Sequence, residues 1–92
     1  MSTWLIISEE TSTADGAAPH RQIRLVRTIN GNKTREQALV ELYDVAKNHK
    51  PDSLKGASTV VGRDGDGTFW VLAKNSRGQA SCNLRLIEQI RP

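Results

Sequence analysis

Residues 58–87 read STVVGRDGDGTFWVLAKNSRGQASCNLRLI, and this stretch decides the fold. It holds three strand-like runs: Ser58–Arg63, Thr68–Lys74 and Gln79–Ile87. Asp64-Gly65-Asp66-Gly67 separates the first two, and Asn75-Ser76-Arg77-Gly78 separates the last two. Gly and Asn tolerate the positive φ that tight turns require, so both breaks read as hairpin turns. The stretch is therefore predicted to be a meander of three antiparallel strands. In its last strand Ala80, Cys82, Leu84 and Leu86 alternate with Ser81, Asn83 and Arg85, which implies one buried and one wet face. In its middle strand Phe69, Val71 and Ala73 take one face and Trp70 and Leu72 the other. Both faces are apolar, as expected of a central strand.

Upstream of the meander stands a helix signal. Thr34 is a good N-cap with Gln37 three residues on, and Glu36 adds negative charge to the first turn. Ala38, Leu39, Leu42, Val45 and Ala46 form one apolar stripe, and Pro51 ends the run, so Arg35–His49 is predicted helical. Arg35 falls on the stripe in the first turn, where its head can reach water.

Further back, Trp4–Ile7 is a short apolar run of strand length. Gln22–Ile29 reads as a second strand, with Ile23, Leu25 and Ile29 on one parity and Arg24, Val26 and Thr28 on the other. Arg27 falls on the apolar parity, which calls for a bulge or a place at the sheet rim. Residues 8–20 are small and polar without a period and read as a flexible loop; Asn30–Lys33 reads as a turn. The order strand, strand, helix, strand, strand, strand predicts an α+β two-layer sandwich. Its antiparallel-rich sheet carries one helix on one face.

The chain has 92 residues, enough for a single domain (1–92) with one modest core. Hydrophobic residues make up 37% and charged residues 25%, so wholesale disorder is not expected. Thirteen Lys and Arg against ten Asp and Glu give a net charge of +3, which admits an anionic partner without demanding one. Cys82 is the only cysteine, so no internal disulfide and no Cys-based zinc cluster is expected. No basic leader and no long apolar run is present, and the expected compartment is the cytoplasm rather than the membrane.

No catalytic constellation stands out. Neither His20 nor His49 has a context that orients it towards Cys82 or a serine, and the expectation is a non-enzymatic protein without cofactor or metal. Asp64 and Asp66 followed by glycine suggest a calcium loop, but the ligand set is short and a hairpin explains it. The informative surface is the sheet face away from the helix. Trp70, Leu72, Ser81, Asn83 and Arg85 are expected there, joined by Arg24, Val26 and Thr28. As a binding surface Trp70, Leu72, Arg24, Val26, Asn83 and Arg85 suit a protein partner or a second copy, with Trp70 and Leu72 as anchors. The alternative is a nucleic acid that stacks on Trp70 and sets its phosphates by Arg24 and Arg85. A third reading has Trp70 covered by the 8–20 loop or by a terminus.

Four runs occur together: WLIISEE (4–10), IRLVRTI (23–29), TREQAL (34–39) and DGDGTFWV (64–71). In these the chain resembles a group of small actinobacterial proteins of about this length with no assigned activity. The resemblance spans most of the chain and implies a bacterial protein of the cytoplasm; it carries no functional residue.

Overall fold

The computed structural model describes residues 2–12, 20–51, 58–74 and 80–91. Five strands and one helix follow in order: β1 Ser2–Ser12, β2 His20–Lys33, α1 Arg35–Asn48, β3 Thr59–Arg63, β4 Thr68–Ala73 and β5 Ala80–Gln89. The strands form one sheet in the order β2-β1-β5-β4-β3, and every neighbouring pair is antiparallel. With α1 on one face, this is the two-layer α+β sandwich that the meander and the helix stripe predict. The meander turn at 75–78 and the connection at 52–57 lie outside the described residues.

α1 forms where its signals stand. Thr34 Oγ1 accepts the Gln37 N–H at 3.2 Å, and the Gln37 side chain accepts the Thr34 N–H at 2.9 Å, a complete capping box. Ala38, Leu42, Val45 and Ala46 are buried beneath the helix, with Leu39 beside them. Against them lie Ile6 of β1, Ile29 of β2, Phe69 and Val71 of β4, and Cys82 and Leu84 of β5. The β3–β4 turn also docks on the helix. Arg35 bonds Asp66 at 2.8 Å, and a Cβ on Gly67 (φ +88°) would stand 3.0 Å from the Arg35 guanidinium. The turn thus ties the meander to the helix start.

Three boundaries differ from the sequence reading. Ser8–Ser12 are not loop: they continue β1, paired with β2 on one side and β5 on the other. Residues 13–19 of the expected loop lie outside the described residues. Asn30–Lys33 remain in β2, but Ser2 pairs with Lys33 and Trp4 with Ile29, so the chain bows out between them. Gly31 (φ +92°) and Asn32 (φ +55°) take the left-handed backbone that this needs. The Trp4 indole N–H closes the bow by donating to the Lys33 carbonyl at 2.9 Å. The third difference is a bulge: Ile6 pairs with Arg27 but Ile7 pairs with Leu25, leaving Val26 without a cross-strand partner.

Candidate functional site

The open face of the sheet can be laid out from strand register, because directly paired residues share a face. Leu84 and Cys82 are buried under the helix, so Ser8 and Glu10, their partners in β1, share that side. The intervening residues of every strand face away. Reading across β2, β1, β5, β4 and β3 gives successive rows. The first is Arg21, Thr11, Ser81, Leu72, Val60; the second is Ile23, Glu9, Asn83, Trp70, Gly62. The third is Leu25, Ile7, Arg85, Thr68; the fourth is Thr28, Leu5, Ile87.

Two apolar patches stand out in this lattice. Ile23, Leu25, Ile7, Leu5 and Ile87 form one, on β2, β1 and β5. Trp70, Leu72 and Val60 form the other, on β4 and β3. Ile23 and Leu25 are 55% and 59% exposed, and Leu72 and Val60 exceed 40%, so the described chain leaves these side chains largely to water. Between the patches runs a polar seam. Glu9 accepts from Arg85 at 2.9 Å and pairs with Arg21 at 3.3 Å. Asn83 is buried and donates to the Phe69 carbonyl at 3.0 Å.

Of the residues expected here, Trp70, Leu72, Asn83 and Arg85 come together, and Thr28 with them. Arg24 and Val26 do not, because the bulge at Val26 reverses the parity of everything before it. Arg24 pairs with Ser8 on the helix side, and Val26 packs on the core. Both line a recess of about 200 Å³ beside the helix end, with Ser8, Glu10 and His49. Ile23 and Leu25 take their places on the open face. The displaced parity of Arg27 was the sequence signal for this exchange: Arg27 sits on the helix side and meets Glu41 at 3.6 Å.

Trp70 is half-buried, and its indole N–H donates to Asp64 Oδ2 at 2.9 Å. Residues of its own hairpin thus hold the ring. Asp64 and Asp66 are both engaged, by Trp70 and Arg35 respectively, as a structural turn requires. Cys82 is fully buried, and burial, with the Glu10 carboxylate adding to it, pushes its thiol up to about 12. It is a packing residue rather than a thiolate nucleophile. Among the described residues no group of three or more His, Cys, Asp or Glu is arranged to hold a metal ion. No helix among them is long and apolar enough to cross a membrane.

No family model matches the chain, and neither a curated protein nor a solved structure does.

Proposed function

We propose that this protein is a binding module that self-associates through the open face of its sheet. The observation that carries this reading is the arrangement of that face: two apolar patches flanking a polar seam in which Glu9 pairs with Arg85 and Arg21. A two-fold axis through the seam lays the larger patch of one copy on the Trp70 patch of the other. It also sets Arg85 of each copy near Glu9 of the other, so the face complements itself as an isologous interface requires. Five strands at ~4.8 Å spacing and four rows at ~7 Å give a flat footprint of roughly 500 Å². Side-chain relief raises the accessible area of such a footprint towards the ~800 Å² per partner of a stable complex. Exposed apolar clusters of this extent mark interaction surfaces.

A nucleic-acid partner is supported less well. That reading needs Arg24 beside Trp70, and Arg24 is on the opposite face, while Arg85 is engaged by Glu9.

Sedimentation equilibrium tests the proposal. The wild type is expected to run as a concentration-dependent dimer. Leu25→Asp removes an exposed side chain from the larger patch, twice per dimer, and is expected to weaken association roughly 100-fold or more. Val40→Asp, on the outer face of α1 where Val40 is 69% exposed, is the control and stays dimeric. A wild type that remains monomeric at the highest attainable concentration removes the proposal.

A further inference from the structure

The sheet has two edges, and they are built differently. β2 carries a bulge, a bow and the arginines Arg21, Arg24 and Arg27, devices that discourage strand pairing. β3 is Thr59-Val60-Val61-Gly62-Arg63, short and regular, with no charge before its last residue. Its main-chain polarity follows from the hydrogen bonds at its two ends. The Asp64 N–H donates to the Thr68 carbonyl at 2.9 Å, and the Ser58 carbonyl accepts from Lys74 at 2.8 Å. Antiparallel ladders alternate, so Val60 and Gly62 also bond inward to β4. Thr59, Val61 and Arg63 therefore turn their N–H and C=O groups outward.

Beside this edge, on the helix side, lies a groove of about 290 Å³ between α1 and the β3–β4 hairpin. Its walls include Leu39, Val40, Tyr43 and Phe69, and Asp66, whose carboxylate is held by Arg35. Arg63 closes it, its guanidinium 6.0 Å from the Tyr43 ring centre and 5.8 Å from that of Phe69. Among the described residues no carboxylate reaches Arg63. On the other face, a Cβ built on Gly62 meets nothing within 4 Å, which leaves a gap beside Trp70.

We propose that the β3 edge and its groove form a second interaction site, which takes an extended acidic peptide segment of another protein as an added antiparallel strand. The outward main chains of Thr59, Val61 and Arg63 supply the ladder. The peptide residue opposite Val61 stands on the helix side, diagonal to Arg63, and is acidic to meet the unpaired guanidinium. The residue opposite Gly62 faces the gap and is large and apolar. The residue opposite Val60 is apolar as well. Read along the peptide, the pattern is apolar, acidic, apolar. This site adjoins the open-face interface: Val60 and the gap at Gly62 lie on that face beside Trp70, whereas Val61, Arg63 and the groove lie on the helix side.

The probe is a fluorescein-labelled peptide, Ser-Thr-Ile-Glu-Val-Thr-Ser, with blocked ends. Its fluorescence anisotropy is expected to rise saturably with the wild type and with Leu25→Asp, whose substitution lies across the sheet on β2, so that binding does not require association through the open face. Methylating the main-chain nitrogen of the peptide's Glu removes a ladder bond and leaves the protein untouched; binding is expected to be lost. Arg63→Gln, or Gln in place of the peptide's Glu, is expected to weaken binding roughly tenfold, the loss of one charge-assisted contact. No anisotropy rise overturns the proposal, and so does undiminished binding of the methylated probe. Arg63→Gln binding as well as wild type overturns its acidic specificity.

Discussion

Cys82 lies opposite Glu10 in the β1–β5 ladder, with no exposed surface of its own. Its thiol is pushed from 9.0 up to about 12, first by burial and then by the Glu10 carboxylate. The folded state therefore keeps a proton that the unfolded state loses. The stabilisation is complete below pH 9.0 and is lost as pH rises from there towards about 12, at a slope of at most about 1.4 kcal/mol per pH unit. Urea unfolding of the wild type and Cys82→Ala at about pH 7.5 and about pH 10.5 isolates this group. The stability gap between the two proteins is expected to shrink at the higher pH. A gap that stays constant means that Cys82 is not protected. The alternation from Ala80 to Leu86 already marked Cys82 as a core residue. Its neighbour Glu10 was hidden, because β1 looks apolar only as far as Ile7. The Asp64 partner of Trp70 was equally hidden: it lies six residues away across a turn, and no periodicity encodes a side-chain hydrogen bond.

At the scale of the element, β2 shows how one residue reassigns a face. A regular strand would set Ile23, Leu25, Arg27 and Ile29 on one side. The extra residue Val26 instead keeps Arg27 and Ile29 with the helix and sends Ile23 and Leu25 to the open face. Deleting Val26 joins Leu25 directly to Arg27 and leaves both pairings, Ile7 with Leu25 and Ile6 with Arg27, in a regular ladder. The deletion variant is expected to fold with the same open face and to self-associate as the wild type does. Its cost is about 1–2 kcal/mol, for the packing of Val26 lost from the core margin. Thermal unfolding and sedimentation check it; a collapse of both is the contrary result. Helix α1 offers the opposite case, an element legible to its ends, because cap, stripe and proline are local signals. Thr34→Ala removes the Oγ1 acceptor of the Gln37 N–H, leaves the bond from the Thr34 N–H to the Gln37 side chain, and is expected to cost about 1 kcal/mol, a fall of roughly 4–8 °C in melting temperature for a domain of this size.

The whole molecule is 45 Å long and only 24 by 21 Å across, and the sheet sets that length. β2, with 14 residues, runs about 46 Å, whereas α1, also of 14 residues, runs about 21 Å. The helix thus roofs about half of the strand length, and its C-terminal end stands beside Ser8 and Glu10 of β1. This is why Ser8–Ser12 read as loop. Under the helix one face is dry and the other wet, so the side chains alternate. Beside the helix end polar residues take the inward positions of β1, where Ser8 and Glu10 are buried, and the strand is held by its ladder bonds without a hydrophobic period. None of Glu9–Thr11 and Arg21–Ile23 belongs to the hydrophobic core, so local opening of these segments should need less free energy than opening beneath the helix. Amide exchange is expected to be slowest around Ile6, Ile29, Val71 and Leu84, and faster at Glu9–Thr11 and Arg21–Ile23. The row of Ile23, Glu9 and Asn83 stands on the open face at this end of the sheet, so covering that face should restrain it. Exchange at Glu9–Thr11 and Arg21–Ile23 is then expected to slow as the wild type is concentrated, and to stay constant in Leu25→Asp. Equal slowing in both proteins would mean that these segments are steadied by something other than the open face.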